Sequence, residues 1–282
     1  MKEFSFESYL KKRYSEKTTI GYLDSVERFI SENKGNENYT HEQVVDYFYS
    51  LKHKNLTSSY RIKILTAIKH YYEFLYTTNQ RKDHPCKRLK IQDTSLKGIH
   101  FDELFTPEEL EALMQMPERY ALIGIKNKIV LSLLIHQALT GEEITTLKLN
   151  DVDLDGGLIK IKPSAKLSGR TLEFHRTQFM LFMRYMNEVR PLLIKDETNK
   201  LLVTKNGTPE TIDNIHAMLK GLQKFIPPND GSFGKKNLTP SHIRQSVIAN
   251  WLNLDQIPLA DVQLMAGHKW PSSTEKYIRN DL

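Results

Sequence analysis

The chain has 282 residues, of which 39% are hydrophobic and 26% charged, and its formal net charge is +6. That length allows two ordinary domains with separate cores, and the single cysteine, Cys86, excludes an internal disulfide and a cysteine-rich metal site. The N-terminus lacks an apolar signal core and residues 129–135 are too short to span a bilayer, so we expect a cytoplasmic protein without a membrane partner.

The first 91 residues are predicted to form a helical domain. Residues 17–30 repeat apolar side chains at helical spacing, and Thr40 and Gln43 form the capping box of a second helix. Residues 57–75 predict a third helix with one apolar face. The side chains expected on that face are Ile64, Ile68, Tyr71, Tyr72 and Leu75.

A basic stripe lies in the second half of this domain. Residues 52–90 contain ten basic residues against Glu73 and Asp83, a local excess larger than the surplus of the whole chain. Contact with a phosphate backbone requires such a stripe, although a merely solvated charged face has the same composition. The candidates for DNA contact are Lys52, Lys54, Arg61, Lys63, Lys69, Arg81, Lys82, Lys87 and Arg88.

A domain boundary is predicted after residue 91. The residues that follow are polar and small and have no sustained hydrophobic period, which is typical of an interdomain linker. We assign the linker to residues 92–104 and a second domain to residues 105–282. That domain opens with a helix at Thr106 and Pro107, a cap followed by an N1 proline.

The second domain is predicted to contain an apolar helix and a strand pair. Residues 131–139 form the helix, which runs toward Gly141. Residues 158–161 and 171–174 alternate like paired strands, and Lys166 lies in the turn between them.

Two further helix starts lie near the C-terminus. Thr239 and Pro240 provide a cap and an N1 proline, which would place Ser241 and Arg244 on one helical face. Residues 272–275 have the pattern of a capping box, and the helix that it predicts would carry Tyr277 in its second turn.

Arg244, His268 and Tyr277 together indicate covalent phosphodiester chemistry. A tyrosyl oxygen can attack phosphorus without a metal if cationic and hydrogen-bonding groups stabilise charge on the non-bridging oxygens. Any one of these residue types is more often a packing residue, so the argument depends on their order and local context. The histidines are scattered without a ligand spacing, so we expect neither a metal nor a cofactor.

These motifs resemble those of the tyrosine recombinase family, which includes phage integrases and Xer-like proteins. The family has a Thr-Pro-His-x-x-Arg box, then Gly-His, then a tyrosine nine residues after that histidine, the spacing of His268 and Tyr277. The resemblance implies that Tyr277 is the nucleophile of a 3′-phosphotyrosyl link and Arg244 the second catalytic arginine. It makes His268 a phosphate-binding or proton-relaying partner and Lys166 the hairpin lysine that protonates the leaving oxygen, with Lys160, Lys162 and Arg170 as nearby alternatives.

The fold implied by the resemblance is mainly α with a small β-sheet. An N-terminal helical, SAM-like core-binding domain would precede the tyrosine recombinase catalytic domain.

Two positions depart from the family pattern. Glu143 stands where the first catalytic arginine is expected, and Ser241 replaces the histidine of the second box. Ser241 can still donate a hydrogen bond to phosphate. A carboxylate roughly 4 Å from a phosphate instead repels it by about 4 kcal/mol at an effective dielectric of about 20. Either Glu143 turns away and pairs with a lysine, or another cation such as Arg170 or Lys126 takes the place of the arginine.

Two functions remain open. In the first, the protein is a site-specific recombinase, monomeric or weakly oligomeric when free and tetrameric on double-stranded DNA with inverted-repeat core sites. In the second, it is a catalytically degenerate DNA-binding member that holds or regulates recombination sites while another recombinase does the chemistry. An accessory or partner recombinase is a candidate partner of the protein. Retention of Tyr277, His268 and Arg244 favours the first, and Glu143 favours the second. A type IB topoisomerase shares the chemistry, but the N-terminal domain is more similar to those of recombinases.

Overall fold

The computed structural model describes residues 5–32, 39–54, 56–91, 99–116, 121–226 and 236–279. The chain divides into two units, Met1–Lys97 and Gly98–Leu282. Of the predicted linker, residues 92–98 lie outside the described residues. Residues 99–104 belong to the second unit and contain a short 3₁₀ turn, Phe101–Glu103.

The first unit is helical, and the helix predictions there are confirmed. The Thr40 hydroxyl and the Gln43 side chain form the predicted capping box. All five apolar residues predicted on one face of the last helix are buried, around a core that includes Phe29 and Tyr72. The helices are α1 (Phe6–Lys11), α2 (Glu16–Glu32), α3 (His41–His53) and α4 (Ser58–Thr77).

The second unit combines helices with one small sheet, which confirms the predicted fold class. Its helices before the sheet are α5 (Pro107–Gln115), α6 (Ala121–His136) and α7 (Gly141–Thr146). After the sheet come α8 (Arg176–Arg184), a π-helical turn (Tyr185–Val189), α9 (Arg190–Leu193), α10 (Ile212–Gln223), α11 (Pro240–Asn253), α12 (Leu259–Ala266) and α13 (Ser272–Glu275).

Helix α6 lies at the centre of this unit. From Ile129 to Ile135 it is apolar apart from Ser132, and such a stretch is stable only when neighbours cover its whole circumference. Helices α5, α8 and α11 pack around it, and residues such as Ile129, Leu133 and Leu134 are fully buried. The core therefore holds in place both the C-terminal end of α6 and the first turn of α11.

The sheet is antiparallel in the order β1 (Val152–Asp153), β2 (Leu158–Ile161) and β3 (Arg170–Glu173). Its register pairs Ile161 with Arg170, so the predicted strand pair is confirmed. The loop between β2 and β3 carries Lys166, and Arg170 is the first residue of β3 at the base of that loop.

The predicted helix around Tyr277 is wrong in its start and its length. Pro271, with helical backbone angles, occupies the N-cap of α13, and no side chain caps that helix. Within α13, the Thr274 hydroxyl is hydrogen-bonded to His268. Because α13 ends at Glu275, Tyr277 lies in the turn that follows the helix.

Among the helices of the described ranges, none has both the length and the apolar character that a bilayer crossing requires.

Candidate active site

A cavity of about 660 Å³ opens in the second unit between the start of α7, the β2–β3 loop and α11. Three predicted site residues, Arg244, His268 and Lys166, line it together with Glu143. The structure therefore brings together side chains that are separated by up to 125 positions, the interval from Glu143 to His268.

Arg244 is the buried cation of the cavity. The Thr239 hydroxyl caps α11 and Pro240 begins it, as predicted, so Arg244 lies in the first turns. Its Nη1 donates to the Ala138 carbonyl, and its Nη2 donates to the Ala266 carbonyl at 2.6 Å. Burial lowers the pKa of Arg244 to about 10, which leaves the guanidinium charged at neutral pH.

His268 is held by the turn that ends α12. Gly267 adopts the left-handed conformation at φ 71°, which favours glycine, and the His268 N–H donates to the Gln263 carbonyl. His268 Nδ1 is hydrogen-bonded to the Thr274 hydroxyl at 2.8 Å. Burial, with the nearby charge of Arg244, lowers the pKa of His268 to about 4, so the imidazole is neutral at physiological pH. A neutral imidazole can accept a proton as well as donate a hydrogen bond.

Tyr277 is buried next to His268 and is not among the described residues that line the cavity. The two rings are nearly parallel, with an interplanar angle of 10° and centroids 6.3 Å apart. The Tyr277 carbonyl accepts from Asn253 Nδ2 at 2.8 Å, which ties the turn to α11. Burial raises the pKa of Tyr277, and the Arg244 charge acts in the opposite direction. The phenol is therefore protonated at neutral pH, and its attack on phosphorus requires loss of that proton.

Among the hairpin lysines that line the cavity, Lys162 and Lys166, Lys166 is the one with an uncommitted amine. It is exposed and lines the cavity, and its Nζ makes no hydrogen bond or ion pair with the described residues. Lys162 Nζ lies 3.3 Å from Asp151 Oδ1. Lys269 Nζ donates to the carbonyls of Ser164 and Ala165, which fixes the hairpin loop beside His268.

Glu143 faces the cavity and forms a buried ion pair. Its Oε1 lies 2.6 Å from Arg170 Nη1, and its Oε2 accepts from the backbone N–H of Thr140 at 2.8 Å. Burial acts to raise the pKa of Glu143, but the hydrogen bond and charge of Arg170 outweigh it, so the pKa is lowered. Neither expected arrangement is found. Glu143 faces the cavity and pairs with Arg170 instead of turning away to a lysine, and Arg170 is not among the described residues that line the cavity. Lys126 pairs with Glu210.

Glu143 also has a local structural function. The Thr140 hydroxyl accepts from the Glu143 N–H at 3.1 Å, and the carboxylate reaches back to Thr140, which forms a complete capping box for α7. A glutamate at this position thus stabilises the start of α7 as well as holding Arg170.

The second altered position lies apart from the cavity. Ser241 is exposed on the first turn of α11, outside the set of described residues that line the cavity, and Arg244 is buried. Ser241 therefore does not join Arg244 in the cavity, although both lie on the predicted helix. The neighbouring His242 donates from Nε2 to the Glu103 carbonyl at 2.7 Å and packs against the Phe105 ring.

Two of the predicted DNA-contacting residues are interior groups of the first unit. Arg61 is 7% exposed, and its Nε donates to the Leu56 carbonyl. The Arg81 side chain is 10% exposed and binds Asp83 and the Tyr39 carbonyl. This corrects the expectation that Arg61 and Arg81 are available for contact with DNA. The exposed members are Lys52, Lys54, Lys63, Lys82, Lys87 and Arg88, and Lys69 is half-buried.

Thr140, Thr274 and Lys269 are members of the site that were not predicted, and Arg170 was predicted only as an alternative. A signal for one of them was present, because Thr140-Gly141-Glu142-Glu143 has the Thr-x-x-Glu pattern of a capping box. No local signal identifies Thr274 or Lys269, since their contacts with His268 and the hairpin loop arise from tertiary structure.

Residues 103–282 match the model of the phage integrase family. The chain belongs to the phage integrase family. The predicted resemblance to tyrosine recombinases is thereby confirmed, and the family model covers the second unit with every residue of the cavity.

Curated relatives extend the similarity along the chain. Tyrosine recombinase XerC of Bacillus licheniformis is 24% identical over 277 residues, which cover 95% of this chain and 87% of the relative. Tyrosine recombinase XerD of Halalkalibacterium halodurans is 25% identical over 241 residues, 85% of this chain and 77% of the relative.

Solved structures share the fold. The Tn1549 transposon integrase in complex with a circular intermediate DNA has a TM-score of 0.75 and 15% identity, covering 98% of this chain and 94% of that one. The XerH site-specific recombinase bound to its difH substrate has a TM-score of 0.71 and 16% identity, covering 92% and 74%.

Proposed function

We propose that this protein is a site-specific DNA recombinase that cleaves and rejoins DNA through a 3′-phosphotyrosyl intermediate at Tyr277. The observation that carries the proposal is the convergence of Arg244 and His268 on one cavity, with the Tyr277 ring parallel to His268. Family membership and relatives named tyrosine recombinases support it.

In the proposed cleavage step, the Tyr277 oxygen forms a bond to phosphorus and the bond from phosphorus to the 5′-oxygen breaks. The neutral His268 can accept the phenolic proton directly or through water. Arg244 stabilises the negative charge on the non-bridging oxygens, and its carbonyl contacts fix it in place before DNA binds. The Lys166 ammonium donates a proton to the leaving oxygen. Rejoining reverses these transfers.

The proposed partner is double-stranded DNA with inverted-repeat core sites. The exposed lysines of the first unit, together with Arg88, would contact the phosphate backbone in a salt-dependent manner. On DNA the protein would assemble as a homo-tetramer, and the free protein would be a monomer or weak oligomer. A DNA substrate would place the protein in the cytoplasm, acting on a mobile element, with an accessory or partner recombinase in some reactions.

A second candidate function rests on Glu143. If the carboxylate in the cavity prevents phosphate from binding productively, the protein binds recombination sites without cutting them. The Arg170 pair argues against this outcome, because it cancels the charge of the carboxylate inside the fold.

Covalent trapping separates the two functions. Nicked suicide duplexes bearing candidate sites from DNA flanking the gene are incubated with wild-type protein and with Tyr277→Phe, then resolved by denaturing electrophoresis. We expect an adduct with the wild type, complete loss of the adduct in Tyr277→Phe, and equal DNA affinity for both proteins.

Tyr49→Phe is the matched control, because Tyr49 is 64% exposed in the first unit and we expect its variant to form the adduct. Specific DNA binding by the wild type without any adduct would establish the DNA-holding function instead. An adduct that persists in Tyr277→Phe would refute the assignment of the nucleophile.

A further inference from the structure

We infer that Arg170 is a positioning residue of the proposed active site, where it cancels the charge of Glu143 and supports the Gly267–His268 turn so that Arg244 remains available to phosphate. The inference rests on the proposed function and adds a residue to it. Arg170 acts through its neighbours, since it lies outside the described residues that line the cavity.

The contacts of Arg170 are made inside the protein. Its side chain is 6% exposed, and that of Glu143 is 5% exposed. Nη1 pairs with Glu143 Oε1 at 2.6 Å, and Nε donates to the Met265 carbonyl at 2.7 Å. Nη2 is buried without a hydrogen-bond partner among the described residues. Burying a charged arginine costs desolvation energy that an apolar side chain at the same position would not cost.

Arg170 also lies directly under the turn that presents His268. A Cβ placed on Gly267 would be 2.5 Å from Arg170 Nη1 and 3.0 Å from the Ser168 carbonyl oxygen. The turn can approach the guanidinium this closely only because residue 267 has no side chain. The Ser168 N–H donates to the Gly267 carbonyl at 2.8 Å, so β3, the hairpin loop and the turn form one connected unit.

The charge balance determines what Arg244 can bind. Glu143 Oε2 lies 3.9 Å from Arg244 Nη1, with Arg170 on the other carboxylate oxygen. Without Arg170, the carboxylate would retain its full charge beside Arg244 and would compete with phosphate for that guanidinium. With Arg170 present, the Glu143–Arg170 pair is neutral and Arg244 supplies a net positive charge.

The test is a charge-matched set of variants: Arg170→Met, Glu143→Gln, the double variant and Arg170→Lys. Single-turnover cleavage of the suicide duplex is measured at saturating protein and normalised to the folded fraction. We expect Arg170→Met to slow cleavage by on the order of a hundredfold, because an uncompensated carboxylate remains in the cavity. Glu143→Gln should speed cleavage, and the double variant should return to within about tenfold of wild type.

Arg170→Lys keeps the charge but loses the planar fork, and it should also cleave within about tenfold of wild type. If Arg170→Met does not fold, this variant and Glu143→Gln decide the question. Slowing by Arg170→Lys as large as that expected for Arg170→Met, or slowing by Glu143→Gln, would overturn the inference. A double variant that cleaves as slowly as Arg170→Met would also overturn the inference, because that result is expected if the ion pair has only a structural role.

A second readout is independent of cleavage. The charged groups that act on His268 are Arg244, Lys276 and Arg170, which lower its pKa, and Glu143, which raises it. NMR titration of the His268 ring should therefore give a higher pKa in Arg170→Met than in wild type, with a return toward the wild-type value in the double variant. Because Glu143→Gln removes the one raising charge, its His268 pKa should lie at or below that of wild type.

The two readouts keep the inference separate from the proposed function. If wild type forms no Tyr277 adduct but the His268 pKa follows this order, the proposed recombinase fails and the charge-cancelling action of Arg170 stands. If the adduct forms and the His268 pKa is the same in all variants, the inference fails and the proposed recombinase stands.

Discussion

Two buried ion pairs in the second unit have similar chemistry but different surroundings. Glu143 and Arg170 meet beside the cavity, whereas Lys126 on α6 pairs with Glu210 just before α10. Each pair has side chains no more than 8% exposed. The Lys126–Glu210 pair connects α6 to the segment before α10. The Glu143–Arg170 pair lies beside Arg244, whose Nη1 is 3.9 Å from Glu143 Oε2.

Burial alone therefore does not distinguish the two pairs, whereas the distance to Arg244 does. Removing one partner of either pair leaves a buried charge and should lower the free energy of unfolding by about 3 to 5 kcal/mol. Only the pair beside Arg244 should also change the rate of cleavage per folded molecule. The following predictions test that distinction in decreasing order of effect on cleavage.

Substituting Arg244 should have the largest effect on cleavage among these predictions. Arg244→Met removes the buried cation that both the phosphate and Glu143 contact, and we expect cleavage to fall by about a thousandfold in single-turnover assays. Arg190→Met is the matched control, because Arg190 is a buried arginine bound to the carbonyls of Thr198 and Lys200. That control should lower stability and leave normalised cleavage unchanged. Equal losses in both variants would mean that Arg244 acts only through folding.

His268→Ala should slow cleavage by about a hundredfold in the same single-turnover assay, the range typical of a positioned proton-transfer group.

The wild-type cleavage rate should show no histidine titration between about pH 6 and pH 8, the interval around the ordinary pKa of histidine. The reason is that burial and the Arg244 charge lower the pKa of His268 to about 4. A pH–rate profile measures this directly. A rate that falls with an apparent pKa of about 6.5 would indicate an exposed histidine and contradict the site geometry.

Breaking the Lys126–Glu210 pair should lower the free energy of unfolding and leave cleavage by the folded protein unchanged. In Glu210→Gln, the Lys126 ammonium remains buried without its carboxylate, and we expect the free energy of unfolding to fall by about 3 to 5 kcal/mol in denaturant titrations. Cleavage per folded molecule should equal that of wild type. A change in normalised cleavage comparable to that of Arg170→Met would remove the distinction between the two pairs.

Acid should destabilise the second unit without affecting cleavage per folded molecule at mildly acidic pH. Burial and the neighbouring His175 lower the pKa of His136 to about 4 from the ordinary 6.5, and His268 is lowered similarly. Between about pH 6.5 and about pH 4 the unfolded chain binds more protons at these histidines than the folded chain does. The free energy of unfolding should therefore fall as the pH drops through this range. His136→Phe should flatten the pH dependence measured by denaturant titration. An unchanged slope would show that His136 is not buried in its neutral form.

Much of the fold was predictable because it depends on local patterns. Capping boxes, the N1 prolines at Pro107 and Pro240, and the alternation of the two strands identify element starts wherever side chain and backbone interact within a few residues. At α13 the local pattern was misleading, because residues 272–275 have the sequence of a capping box but Pro271 occupies the N-cap position.

The site was predictable as a set of residues but not as an arrangement. The spacing of Arg244, His268 and Tyr277, together with the family resemblance, predicted that they belong to one site, and the structure places Arg244 and His268 on one cavity. The Glu143–Arg170 pair joins residues 27 positions apart, and no sequence pattern indicates which cation will pair with a buried carboxylate. Likewise, charge counting cannot separate the exposed Lys63 from the buried Arg61, two residues away on the same helix.

The most direct test of the account is to locate the covalent link. Wild-type protein trapped on a nicked suicide duplex would be digested with protease and nuclease, and the nucleotide-bearing peptide sequenced by mass spectrometry. We expect the phosphate to be attached to Tyr277. A phosphate on any other residue would contradict it, and so would a wild-type protein that binds the duplex specifically but yields no nucleotide-bearing peptide.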